Sequence, residues 1–121
     1  MALPVLVADD SAMSRKLIIR AFPDDWDVVV HQAADGDEAL AQAEAHQVRL
    51  MFLDLTMPGT DGFSVLTGIR ERGLDVFVVV VSADVQPRAE EHAAELGAAA
   101  FLRKPLDADE LRGLLAERGF V

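Results

Sequence analysis

Leu50-Met51-Phe52-Leu53-Asp54-Leu55-Thr56-Met57-Pro58-Gly59 is the stretch that decides the fold. Residues 50–53 are apolar at every position, so neither face of a strand built from them tolerates water. Such a strand belongs inside a parallel sheet covered by helices on both sides. The run stops at Asp54, which sets a carboxylate at the carboxyl edge of the sheet, where open α/β sheets bind their ligands. Largely apolar runs also occupy residues 5–8, 28–33, 76–81 and 99–102. The first ends in Asp9-Asp10, the fourth in Ser82-Ala83 and the fifth is followed by Lys104.

Between these runs the apolar spacing changes to that of a helix. Met13, Leu17, Ile18 and Phe22 share one helical face. So do Ala39, Leu40 and Ala43, then Phe63, Leu66 and Ile69, then Ala89, Ala93 and Leu96, and finally Leu111, Leu114 and Leu115. The start signals agree. Ser11 suits the cap of the first helix, Asp37 follows Asp35-Gly36 at the second, and Asp61-Gly62 precedes the third. Pro87 suits the first turn of the fourth, and Asp107 the cap of the fifth. Gly73 and Gly97 stand where the third and fourth helices should stop. Five βα units with right-handed crossovers make one doubly wound, flavodoxin-like α/β sandwich around a five-stranded parallel sheet. The 121 residues suffice for one domain, taken as residues 1–121.

Composition removes several function classes. With no cysteine, disulfides and thiolate metal sites are excluded. A net charge of −10, from 21 acids against 11 bases, offers no basic footprint for direct nucleic-acid binding. No apolar run approaches the ~20 residues a membrane-spanning helix needs, so no membrane insertion is expected. The opening Met1-Ala2-Leu3-Pro4 lacks the pattern of a signal peptide, and a cytoplasmic location is expected. Most of the acids read as solvated surface.

Asp9, Asp10 and Asp54 call for a different account. If the first and third strands are neighbours, the three carboxylates meet at one sheet edge. Each pair at ~4 Å repels by roughly 4 kcal/mol at an effective dielectric near 20. Protonation relieves part of that, and a hard divalent cation relieves more; all-oxygen ligands favour magnesium, manganese or calcium over zinc. A single strand-end Asp is as readily a helix cap, but a cap does not explain three acids and Lys104 at three strand ends. Lys104 places a compact positive charge where an oxyanion on Asp54 would lie. Ser82 offers a hydroxyl to the same anion, and the small Ala83 leaves room for it.

This ordered set resembles the receiver domains of two-component response regulators over essentially the whole chain. Asp9-Asp10, Asp54, Met57-Pro58-Gly59-x-Asp61-Gly62, Ser82-Ala83 and Lys104-Pro105 carry the resemblance. It implies the CheY-like strand order 2-1-3-4-5, an order for which the chemotaxis member is a standard example. It also implies that Asp54 accepts a phosphoryl group from a phosphohistidine on a histidine kinase or histidine phosphotransfer protein. Asp10 and Asp54, with the backbone carbonyl of Thr56, would ligate magnesium, and Asp9 would assist. Lys104 would pair with the phosphoryl group, Ser82 would swing to bond it, and Phe101 would move inward as a switch. Thr56 and Asp84 would flank the path of the attacking water, and the Lys104-Pro105 peptide would be cis. A downstream protein target would read the fourth helix, fifth strand and fifth helix, with Arg88 and Arg103 on that face. The chain would be a signalling switch and not an enzyme, either a stand-alone receiver or the receiver part of a longer regulator.

Three other readings compete. An aspartyl-nucleophile phosphohydrolase wants a second Asp two residues after the nucleophile, where this chain has Thr56. A flavodoxin-like cofactor binder wants a hydroxyl- and Gly-rich loop after the first strand, where this chain has Asp9-Asp10-Ser11. A receiver working by contact alone is disfavoured because no key position is lost. His31, His46 and His92 have no ligand spacing and read as surface or half-buried groups. Asp24-Asp25-Trp26-Asp27 reads as a solvated turn whose Trp covers the core edge. Met13, Met51 and Met57 read as packing residues.

Overall fold

The structure, a computed structural model, describes residues 2–84 and 86–121. Strands β1 (Leu3–Ala8), β2 (Val28–Ala33), β3 (Leu50–Leu53), β4 (Phe77–Ser82) and β5 (Ala100–Arg103) alternate with helices. The helices are α1 (Ala12–Arg20), α2 (Gly36–Ala45), α3 (Gly62–Glu71), α4 (Pro87–Glu95) and α5 (Ala108–Glu117). All strand pairs are parallel, in the order β2-β1-β3-β4-β5. This is the flavodoxin-like sandwich expected from the apolar runs.

Strand alternation divides the core in two. Leu6, Ala8, Met51, Leu53, Val78 and Val80 face α2, α3 and α4. Val5, Val7, Leu50, Phe52, Val79 and Val81 face α1 and α5. All of β3 is buried, as a strand covered on both faces must be. Burial of a side chain such as Phe52 contributes about 1.5–3 kcal/mol.

The caps follow their residue types. Ser11, Asp61 and Asp107 accept backbone N–H bonds at the starts of α1, α3 and α5. At α2 the cap is Asp35, which accepts from the Glu38 N–H at 2.8 Å, and Asp37 lies in the first turn instead. The difference arises because Gly36 is already helical. Gly73 and Gly97 take positive φ, 64° and 108°, just past α3 and α4.

One helical face departs from its apolar spacing. Met13 and Leu17 are 61% and 52% exposed, while Ile18, Ala21 and Phe22 are buried. Leu17 lies about 100° of rotation from Ile18, so both cannot point at the sheet centre. Trp26 does cover a core edge. It meets Phe22 edge-on at 5.0 Å and donates its indole N–H to the Phe120 carbonyl at 2.9 Å. It stands beside the start of β1, at the edge opposite Asp54. Among the described residues no helix is long and apolar enough to cross a membrane.

Candidate functional site

Strand register assembles the site. Ala8 is the partner of Leu53, so the next residues, Asp9 and Asp54, emerge side by side; the Asp54 N–H donates to the Ala8 carbonyl at 2.9 Å. Ser82 is the partner of Arg103, so Lys104 emerges next to Ser82, and its N–H donates to the Ser82 carbonyl at 2.9 Å. Four chain segments thus deliver Asp9-Asp10, Asp54, Ser82 and Lys104 to one sheet edge.

Asp9, Asp10 and Asp54 each offer a carboxylate oxygen, and these oxygens lie within 4.8 Å of one another. Asp9 and Asp54 are buried, and Asp10 is exposed. Burial pushes the Asp54 carboxyl up to about 6. Lys104 opposes the rise, Asp9 adds to it, the Thr56 backbone N–H bond opposes it, and Asp10 adds to it. Lys104 Nζ sits 2.8 Å from Asp9 Oδ2 and 3.8 Å from Asp54 Oδ1. Its closest carboxylate is therefore Asp9, with Asp54 within reach. Asp9 is further held by the Ser11 N–H at 2.9 Å.

The donor set suits a hard divalent cation. All three side chains present oxygen, two are buried, and one lysine does not neutralise three carboxylates.

Ser82 is fully buried, and its hydroxyl oxygen accepts the Asp84 N–H at 3.1 Å. Phe101 is half-buried against the α2–α3–α4 side of the core, with the Arg103 guanidinium 5.8 Å from its ring centre. Thr56 is exposed. The Lys104-Pro105 peptide is cis.

Sequence reasoning missed two features. His31 and His46 stack with ring centres 3.9 Å apart, and burial followed by the charge of His46 lowers the His31 pKa. The second is a close approach between Gly36 and Thr60: a Cβ on Gly36 would lie 2.1 Å from the Thr60 carbonyl oxygen. Neither pair is local in sequence.

The family model described as response regulator receiver domain matches residues 5–116. The transcriptional regulatory protein CiaR of Streptococcus pneumoniae is 37% identical over 108 residues, covering 89% of this chain and 47% of that protein. A protein-glutamate methylesterase/protein-glutamine glutaminase of Moorella thermoacetica is 40% identical over 110 residues, covering 88% of this chain and 26% of that one. The chain therefore spans less than half the length of these two relatives. Among solved structures, the Borrelia burgdorferi CheX–CheY complex with BeF3 and magnesium aligns with TM-score 0.86 and 30% identity, over 98% of this chain and 90% of that one. The REC domain of AraT, a Geobacillus stearothermophilus response regulator, aligns with TM-score 0.86 and 32% identity, over 97% and 92%.

Proposed function

This chain belongs to the response regulator receiver domain family, and from that premise we propose that residues 1–121 form one phosphoacceptor switch with Asp54 as the acceptor. One observation carries the reading: a buried carboxylate raised to about 6 lies beside two further carboxylates and 3.8 Å from a lysine. The phosphoryl donor is a phosphohistidine on a histidine kinase or histidine phosphotransfer protein. The Asp54 oxygen forms the new P–O bond as the P–N bond breaks, and the electron pair returns to the donor imidazole.

Asp9, Asp10, Asp54 and the Thr56 carbonyl would hold magnesium, or manganese in its place. Bound there, the ion supplies positive charge that offsets the phosphoryl oxygens and the ionised pocket. Lys104 adds a mobile cation: its Nζ moves from Asp9 toward the phosphoryl group once that group stands on Asp54. Ser82 gives up its contact with the Asp84 N–H to donate its hydroxyl to a phosphoryl oxygen. Phe101 then turns into the space behind it, which alters the face formed by α4, β5 and α5 for a downstream protein target. Thr56 and Asp84 stand at the pocket mouth, where they influence how fast water removes the phosphoryl group. The exposed Leu17 on α1, with Lys104, Pro105 and Leu106, lines a groove of about 450 Å³ that offers an apolar seat for the donor. The activity is that of a switch with self-catalysed transfer and loss, in the cytoplasm with its kinase.

Beryllium fluoride with magnesium tests this. Amide shifts should move at Asp54, Ser82, Phe101 and Lys104 in the parent and stay put in Asp54→Asn. A variant that responds as the parent does would remove Asp54 from the acceptor role.

A further inference from the structure

The loop from Asp54 to α3 carries two backbone groups the site depends on. The Thr56 backbone N–H opposes the rise of the Asp54 pKa, and the Thr56 carbonyl is the fourth group proposed to face the cation. Thr56 itself is exposed. Met57 anchors one point by burial, and Gly59, at φ 70°, turns the chain back. The base of the loop is closed by Gly62, whose N–H donates to the Leu55 carbonyl at 3.1 Å. A Cβ there would lie 2.5 Å from the Asp54 carbonyl oxygen.

The outer limb is held from a different element. Gly36, buried in the first turn of α2, lies against the Thr60 backbone so closely that a Cβ would meet the Thr60 carbonyl oxygen at 2.1 Å and Cγ2 at 2.7 Å. The next residue, Asp37, accepts the Thr60 hydroxyl at 2.7 Å across 23 positions of sequence. The helix end is itself fixed, since Asp35 caps it.

We propose that the first turn of α2 is a clamp that positions the metal-binding loop. Gly36 seats the Thr60 backbone, Asp37 holds its hydroxyl, and together they keep Thr56 presented to the acidic pocket. Gly36, Asp37 and Thr60 are positioning residues; none touches the reacting atoms. The inference rests on the reading of Asp54 and Thr56 given above.

The test measures magnesium affinity by calorimetry, with amide exchange at Thr56 and Gly62 in the metal-free protein as a second readout. Thr60→Val keeps the shape and removes the donor; Asp37→Ala removes the acceptor. Both should weaken magnesium binding about three- to tenfold, the range one lost hydrogen bond spans, and speed exchange at both amides. Asp37→Asn keeps an acceptor and should stay within about twofold of the parent. Gly36→Ala should weaken binding more than Thr60→Val; if it fails to fold, the two surface variants carry the test. A purely structural role would lower urea stability and leave the affinity of the folded protein unchanged. Thr60→Val at parental affinity, with parental loop exchange, would overturn the clamp. A parent that binds no magnesium would instead overturn the site reading beneath it.

Discussion

Replacing Asp54 with Asn should stabilise the metal-free protein. The native carboxyl is raised from the usual 3.8 to about 6, chiefly by burial. A folded-state value above the unfolded one means the native state holds more protons between those limits. Stability linked to Asp54 is therefore full below pH 3.8 and lost as pH rises through 6. At 1.36 kcal/mol per pH unit, the gap sets a ceiling of about 3 kcal/mol. The side chain is only 7% exposed, but the exposed Asp10 forms part of the pocket wall, so water screens the charge and about 1–2 kcal/mol is the expected loss. A neutral carboxamide avoids it, and Lys104 keeps its partner because Asp9 lies nearer, at 2.8 Å. Urea titrations followed by Trp26 fluorescence suit the measurement, since Trp26 packs on Phe22 at the far edge and reports global unfolding. At pH 7.5 Asp54→Asn should be the more stable by about 1–2 kcal/mol, and the gap should close as pH falls from 6 toward 4. An Asn variant that is no more stable at pH 7.5, or whose advantage is the same at pH 4, would refute the reasoning.

Millimolar magnesium should raise the melting temperature of the parent by linkage, and Asp10→Ala should abolish the shift; equal shifts in both would remove Asp10 from the metal site. Phe52→Ala should destabilise by about 3–5 kcal/mol in denaturant titration, because Phe52 is wholly buried between β3 and the α1–α5 layer. His31 has a lowered folded-state pKa, so the unfolded chain binds the proton more readily and stability should fall as pH drops below about 6.5, the unfolded value. Replacing His31 with Gln should flatten that limb of the stability–pH curve.

The fold was legible because β3 is apolar on both faces and every βα unit carries its own cap or stop. Ser11, Asp61 and Asp107 act as their types suggest, since capping depends on residues three or four apart. The membership of the site was legible for a related reason: each group sits within two positions of the end of an apolar run. Contacts that depend on how helices seat on the sheet were not. Met13 and Leu17 have core spacing yet face outward, because the rotation of α1 is set by Ile18 and Phe22 against the sheet. Lys104 reaches Asp9 before Asp54 because of strand register and loop geometry. The His31–His46 stack and the Gly36–Thr60 approach join segments that no local pattern connects.

If Asp54 is the acceptor, it takes a phosphoryl group from a nitrogen-linked donor. Incubation with phosphoramidate and magnesium, followed by borohydride reduction and peptide mapping, reads this out at residue level. One phosphoryl group per chain and homoserine at position 54 after reduction are expected, with neither in Asp54→Asn. Phosphoryl trapped on another residue, or an Asp54→Asn variant labelled as well as the parent, would contradict that assignment.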